Sequence, residues 1–151
     1  MSGVDVEAVA RRLLDTNQYM TLATADADGR PWISPVWFAS ASATELLWVS
    51  RPEARHSRNI AVRREVAIVV FDSTVPVGGA EALYIEALAE QVDDVDDAIA
   101  VFSRRSVAVG AQPWEPAYVR PPAPLRLYRA TAVSQSVLGP GDERLPFEPG
   151  S

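Results

Sequence analysis

Six short segments with strand-like patterns, separated by turn residues, constrain the fold of this chain more than any other feature. They are residues 19–25, 31–39, 45–50, 66–71, 82–91 and 125–137. The fourth is the continuous apolar run Val-Ala-Ile-Val-Val-Phe, which is typical of a fully buried strand. Because short strands joined by closely spaced turns favour a barrel or a sandwich, we predict a mainly β fold.

Three helical segments are predicted beside the strands, at about 6–16, 52–63 and 95–105. In the first, apolar residues recur at the spacing of one helical face. Four aspartates lie near the start of the third, among residues 93–97, and Arg104 and Arg105 lie at its end. These charges complement the helix dipole at both ends. We therefore interpret the acidic run as part of a helix start, and we predict no metal centre.

The composition excludes several kinds of chemistry. There is no cysteine, which rules out disulfides, cysteine–zinc sites and thiol nucleophiles. All 14 basic residues are arginine, so no lysine is present to form a Schiff base. The formal net charge of −6 argues against the broad basic face that nucleic-acid binding requires.

Length and hydropathy predict a single cytoplasmic domain. A chain of 151 residues suits one domain, which we place at 1–138, followed by a mobile Pro- and Gly-rich tail at 139–151. No apolar run approaches the roughly 20 residues that cross a bilayer. The N-terminal residues also lack the basic and then apolar pattern of a signal peptide. We therefore expect no membrane partner.

Residues 51–64 form a basic segment inside an acidic chain. Five arginines and one glutamate give it a formal charge of +4, and it contains the only histidine, His56. The segment follows a strand and opens a helix, whose N-terminal N–H groups and dipole suit a phosphate. Arg55 can add a two-pronged contact, and His56 and Ser57 can each donate one hydrogen bond. The alternative is a solvated helix face whose arginines point to water.

The neighbouring strands also allow two interpretations. We expect residues 33–38 to pair beside 47–50, the strand that leads into the basic segment. Pro35 has no N–H for a ladder, so it marks an edge, a bulge or a ligand contact. A flat ring lying against the backbone would explain an interrupted ladder. Alternatively, Trp37 and Trp48 are aromatic residues of the core or of a dimer interface.

Residues 19–137 together resemble the FMN-binding split-barrel family that includes pyridoxamine 5′-phosphate oxidase. The best part is 47–71, where a strand ending Trp-Val-Ser precedes a short loop, the run Arg-His-Ser-Arg-Asn-Ile and a buried strand. The oxidases have a strand, a Ser-Arg-Lys phosphate signature, a short helix and a buried strand in this order. The strand beginning at Ala82 looks like the family strand that usually ends in Glu-Gly. The resemblance implies a six-stranded split β-barrel of Greek-key type with flanking short helices.

The resemblance also implies a homodimer that binds FMN at its interface and acts on a small-molecule substrate. Arg55 matches the phosphate-binding arginine, His56 stands where the oxidases have a lysine, and Ala54 replaces their serine. The cofactor-binding residues that it implies are Ser34, Pro35, Val36, Trp48, Val49, Ser50, Arg55, His56 and Ser57. It assigns no catalytic residue, and the oxidases' substrate-binding arginine and histidine pattern is not found in the last strand.

We therefore expect an FMN-dependent oxidoreductase in which the flavin carries the redox chemistry and the loop at 110–124 covers the substrate. Relatives of this fold supply two alternatives. One is a deazaflavin-dependent reductase, whose longer acidic cofactor would engage Arg51, Arg58, Arg63 and Arg64. The other is a non-enzymatic flavin- or haem-binding dimer, in which His56 is the only imidazole available as an axial ligand.

Overall fold

A computed structural model describes residues 5–149 of the chain. Its helices are α1 (Val6–Thr16), α2 (Arg55–Val62) and α3 (Asp96–Ala108). Its strands are β1 (Tyr19–Ala25), β2 (Pro31–Trp37), β3 (Ala39–Ser40), β4 (Glu45–Ser50), β5 (Glu65–Phe71), β6 (Ala82–Gln91), β7 (Arg126–Leu138) and β8 (Arg144–Phe147). Short 3₁₀ helices at Pro116–Val119 and Pro140–Asp142 complete the described elements.

The strands form one curled antiparallel sheet in the order β2-β1-β5-β6-β7-β4-β3, with β8 added beside β7. The predicted mainly β split-barrel class is therefore confirmed. The strand count differs, because the described residues contain eight strands and not six. The two additional strands are β3, with two residues, and β8, with four.

The segment expected to trail as a tail at 139–151 contains β8, which pairs with β7 from Leu138↔Arg144 to Gln135↔Phe147. Leu145 and Phe147 alternate with polar or exposed positions, and Phe147 packs against the core. Gly139 allows the tight return, since a Cβ there would lie 2.9 Å from the Leu145 side chain. The domain therefore extends beyond residue 138, while residues 1–4, 150 and 151 lie outside the described range.

The pairing of β2 also differs from the prediction. β2 pairs with β1 over its whole length, from Tyr19↔Trp37 to Ala25↔Pro31, and only Ala39–Ser40 pairs with β4. The main chain turns between β2 and β3, so residues 33–38 do not form a ladder beside 47–50. β2 ends the strand order, and Pro35 therefore lies on an edge strand, as one of the sequence interpretations required.

Two hydrophobic clusters lie on opposite faces of β4. Leu46 and Trp48 point into the main core with α1, whereas Leu47 points to a second cluster with α3. Trp48 is fully buried and stacks on Tyr128, with ring centroids 5.8 Å apart. Because β4 is buried on both faces, its end and the following loop are held firmly where α2 begins.

Candidate functional site

The N-terminus of α2 has no side-chain cap. Ala54 is the N-cap residue, and it makes no side-chain hydrogen bond to the helix. The first helical bond runs from the Arg58 N–H to the Ala54 carbonyl, at 2.9 Å. The N–H groups of Arg55, His56 and Ser57 lie before this first bond. Such groups have no acceptor within an α-helix. With the helix dipole, they form a site suited to an anion.

His56 and Ser50 form a hydrogen-bonded pair at this helix start. The His56 Nε2 lies 2.9 Å from the Ser50 Oγ, which joins the end of β4 to the first turn of α2. Both residues are half-buried, and burial lowers the pKa of the His56 imidazole below its usual value of 6.5. The ring is therefore mainly neutral at pH 7, and one of its nitrogens can donate while the other accepts.

Arg55 and Ser57 supply the remaining polar groups of the first turn. The Arg55 guanidinium lies over the Trp32 ring of β2, 4.2 Å from its centroid. This contact keeps the positive charge beside the helix start. The Ser57 side chain is buried, and its Oγ is one of the few buried polar atoms among residues 5–149 that lack a hydrogen-bond partner.

The rest of α2 is fastened to the hairpin formed by β1 and β2. The buried Asn59 side chain donates to the Thr24 Oγ1 at 3.0 Å. Arg63 donates to the carbonyls of Asp26 and Ala27, at 3.1 and 3.2 Å, in the hairpin turn. The hydrogen bond from the Arg30 N–H is the main cause of a lowered pKa at the Asp26 carboxyl in the same turn. These contacts fix the orientation of the helix start.

The structure brings together four of the residues that the sequence analysis selected: Ser50, Arg55, His56 and Ser57. The others lie along the neighbouring strands. Val36 and Trp48 point into the core, Ser34 and Val49 are half-buried, and Pro35 is exposed. In this conformation the buried side chains of Val36 and Trp48 are not accessible to a ligand, so these two positions offer only their main chain.

Several residues of this region were missed by sequence reasoning. Trp32 contacts Arg55, and the pair of Thr24 and Asn59 joins helix to strand. Each partner lies in a different part of the sequence, so no local spacing indicates these contacts. The polar Asn59 on the apolar side of a short helix was the one available signal, because buried amides need partners.

The described part of the chain has neither a membrane-spanning helix nor a cluster of metal-binding side chains. No helix within residues 5–149 is long and apolar enough to cross a membrane. No group of three or more His, Cys, Asp or Glu residues lies close enough there to hold a metal ion.

The fold is that of a split barrel, and the N-terminus of α2 is suited to binding an anion. The family model described as pyridoxamine 5′-phosphate oxidase matches residues 6–134, and the chain belongs to this family. No curated protein matches the sequence.

Three solved structures illustrate the range of proteins with a similar fold. ChuZ from Campylobacter jejuni has a TM-score of 0.78 and 16% identity, over 98% of this chain and 61% of its own. HutZ, the haem storage protein of Vibrio cholerae, has a TM-score of 0.64 and 21% identity, over 84% and 89%. An F420 reductase has a TM-score of 0.62 and 25% identity, over 89% and 98%.

Because burial lowers the pKa of His56, we expect its ring to titrate below pH 6.5 in the free protein. The unfolded chain then binds more protons than the folded chain between the two pKa values. The unfolding free energy should therefore fall as pH decreases from about 6.5 through the folded pKa, and level off below it. The ¹H NMR signal of the ring reports this pKa without assignment, since the tag-free chain has one histidine. A pKa at or above 6.5 would contradict the buried environment.

Proposed function

We propose that this protein binds FMN and acts as a flavin-dependent oxidoreductase, with the FMN phosphate at the N-terminus of α2. The uncapped helix start is the observation that carries the proposal. It combines free N–H groups with the side chains of Ser50, Arg55, His56 and Ser57. Several donors and a positive charge converge there, which suits a phosphate monoester.

Each side chain has a distinct role in this proposal. Arg55 leaves the Trp32 ring to contact phosphate oxygens. A partly exposed cation–π contact is worth only about 0.5–1 kcal/mol, less than charge-assisted hydrogen bonds to a phosphate. His56 donates a hydrogen bond, and a nearby dianion raises its pKa. A phosphate oxygen also provides an acceptor for the Ser57 hydroxyl, which has no partner among residues 5–149.

The flavin ring is placed along the strands that flank the helix start. The main chain of Ser34, Pro35 and Val36 on the edge strand, together with that of 48–50, is available to orient it. Bound FMN supplies hydride or electron transfer. The protein binds the phosphate, orients the ring and excludes water from one face.

We also propose a homodimer formed through the outer face of the sheet. Ile33 on β2 is 62% exposed, and it lies in the same cross-strand row as Ala23 and Ala67. The next row contains Thr21, Val69 and Tyr84. Glu86 and Arg144 are the two charged residues that line this face within residues 5–149, and the face adjoins the edge strand that carries the proposed flavin contacts. An apolar face of this kind is typical of a permanent subunit interface.

The Ile33→Asp variant should therefore dissociate the dimer. A carboxylate buried in the interface without a partner costs several kcal/mol, so dimer affinity should fall by more than about 100-fold. Size-exclusion chromatography with light scattering measures the mass across a dilution series. Val77→Asp adds the same charge in an exposed loop and should leave the dimer intact. A monomeric wild type, or a dimer that tolerates Ile33→Asp, would contradict this interface.

A deazaflavin-dependent reductase is the second candidate, favoured by the similarity to the F420 reductase. Its longer acidic cofactor would require more of the arginines near α2. Arg63 binds the hairpin turn, and Arg64 pairs with Glu90 at 3.1 Å. Arg51 and Arg58 are exposed and remain available. Because two of the four arginines already have partners, the site suits a single phosphate better.

The environment of His56 argues against haem binding as an alternative function. Its Nε2 is bonded to the Ser50 Oγ, so axial ligation through this atom would break that contact. The chain contains no second histidine to replace it. The haem storage protein HutZ is 21% identical to this chain, so it supports the fold and not this cofactor.

Absorbance titrations of the purified protein with FMN, deazaflavin and haem test the assignment. The proposal predicts perturbed flavin bands that saturate at one FMN per chain, with weaker deazaflavin binding. Haem bands that are lost in His56→Ala would instead support ligation. Failure of FMN to bind at micromolar concentration would contradict the proposal.

A further inference from the structure

A cavity lies beside the proposed flavin site, on the α3 side of the sheet. It has a volume of about 450 Å³, and its lining includes Trp37, Val49, Phe102 and Trp114. A volume of this size accommodates a small organic molecule. Val49 belongs to the residues implied for flavin binding, so this cavity adjoins the strand end where the ring is proposed to lie.

Aromatic side chains form the wall of this cavity. The Phe102 ring meets Trp37 edge-on, with centroids 5.0 Å apart and planes at 87°. It meets Trp114 in the same way, at 5.4 Å and 79°. Tyr118 continues the series beyond Trp114, at 6.1 Å. Edge-to-face packing of this kind holds the rings in defined orientations.

The loop between α3 and β7 is held in place against this wall. The Trp114 N–H donates to the Ser103 Oγ at 2.8 Å, and the Ser106 hydroxyl donates to the Gln112 carbonyl at 2.6 Å. Arg126 donates to the carbonyls of Ala123 and Leu125, both at 2.6 Å. The loop therefore has fixed contacts that position Trp114, and the cavity is a formed feature of the fold.

Within residues 5–149, no charged side chain lines this cavity or the adjacent one of about 440 Å³ on the other side of Trp114. The two share Gln112, Trp114 and Leu125. The polar lining includes the amides of Gln18 and Gln112, and the Gln18 Oε1 accepts the Trp37 indole N–H at 3.1 Å. An anionic ligand would lose part of its hydration here without gaining a positive partner, which is costly.

We propose that this cavity binds a neutral, planar aromatic molecule and is the substrate pocket of the oxidoreductase proposed above. The role as a substrate pocket rests on the proposed function, whereas the binding of an aromatic molecule depends only on the lining of the cavity. Its aromatic walls favour a flat ring, and its amide groups favour a neutral polar substituent. A phosphorylated substrate does not fit, because the lining supplies no cation. The substrate class therefore differs from that of the oxidases after which the family is named.

A pair of probes with the same ring isolates the effect of charge. Benzamide is neutral and benzoate is anionic at pH 7.5, and ligand-observed NMR measures the binding of each to the cofactor-free full chain. We expect benzamide to bind at least about tenfold more tightly than benzoate, since one unpaired buried charge easily costs about 1.4 kcal/mol. Equal binding of the two probes, or binding of neither at millimolar concentration, overturns the proposal. If a second chain covers the cavity in the dimer, neither probe will bind.

Two variants and one control locate the binding. Trp114→Ala should weaken benzamide by at least about tenfold, whereas Trp32→Ala, the same change outside the cavity, should not. Gln112→Arg adds a cation at an exposed lining position and should strengthen benzoate relative to benzamide. Benzamide binding that neither Trp114→Ala nor Gln112→Arg changes overturns the proposal.

Repeating the titration with FMN separates the two proposals. If FMN binds and benzamide does not, the pocket assignment fails and the flavin proposal stands. If benzamide binds and FMN does not, the cavity binds aromatic molecules but is not the substrate pocket of a flavin enzyme. The substrate assignment then fails together with the proposed function.

Discussion

The Arg55→Ala variant is expected to weaken FMN binding by about 10- to 100-fold while leaving the fold intact. The reason is that charge-assisted hydrogen bonds contribute about 1.5–3 kcal/mol, and Arg55 provides the charged side chain of the first turn of α2. Among residues 5–149, its guanidinium contacts the partly exposed face of Trp32 and also interacts electrostatically with the Asp26 carboxylate. Flavin fluorescence quenching gives the dissociation constant, and circular dichroism checks the fold.

Arg58→Ala is the matched control for this prediction. Arg58 lies in the same helix, carries the same charge and is exposed. Removing it changes the net charge equally but leaves the first turn unaltered, so FMN affinity should change by less than about threefold. Equal losses in the two variants would mean that the segment attracts FMN only through its general charge. The solvated helix face would then be the better interpretation.

Replacing Trp48 with alanine should destabilise the protein by about 3–5 kcal/mol, the usual cost of removing a large aromatic side chain from a core. Trp48 is fully buried, stacks on Tyr128 and lies on the strand that leads to the helix start. Chemical denaturation of each variant measures the change in unfolding free energy. The melting temperature should fall as well, by about 2–4 °C for each kcal/mol in a chain of this size.

Two further variants test why Trp48 matters. Trp48→Phe should lie within about 1–2 kcal/mol of wild type. It loses some packing volume but also removes an indole N–H that has no hydrogen-bond partner within residues 5–149. Trp32→Ala, at a 40% exposed position, should cost less than about 1 kcal/mol. Similar losses for Trp48→Ala and Trp32→Ala would contradict the core position of Trp48.

The secondary structure was largely predictable because its signals are local. The apolar spacing of α1 and the continuous apolar run of β5 each identified an element within one or two residues of its observed bounds. The last strand, β8, was missed because Pro and Gly dominate its surroundings and its apolar alternation covers only Leu145 and Phe147. Its formation depends on the edge that β7 leaves free beyond the residues paired with β4, which is a tertiary feature.

Strand pairing was less predictable than strand position. The sequence analysis predicted that β2 would lie beside β4, the strand that leads into the basic segment. In the structure β2 pairs fully with β1 through a tight hairpin, and β4 pairs with β7. Hairpin pairing follows from a short turn, whereas the partner of β4 is distant in sequence and no local pattern specifies it.

In the candidate site, too, the local features were predictable from the sequence and the contacts between distant residues were not. Arg55, His56 and Ser57 are neighbours in sequence at the start of a helix, so their convergence could be inferred directly. The bond between His56 and Ser50 was not predicted, although both residues were selected. The contact of Arg55 with Trp32 depends on how α2 packs on the hairpin, which sequence spacing does not show.

The affinity ratio of FMN to riboflavin for the wild-type chain tests the central claim most directly. The two ligands share the flavin ring and ribityl chain, and they differ only in the phosphate. If the N-terminus of α2 binds that phosphate, FMN should bind at least about 100-fold more tightly, because several charge-assisted hydrogen bonds depend on it. Equal affinities would show that the phosphate makes no specific contact, and the assignment of the site to Ser50, Arg55, His56 and Ser57 would be wrong.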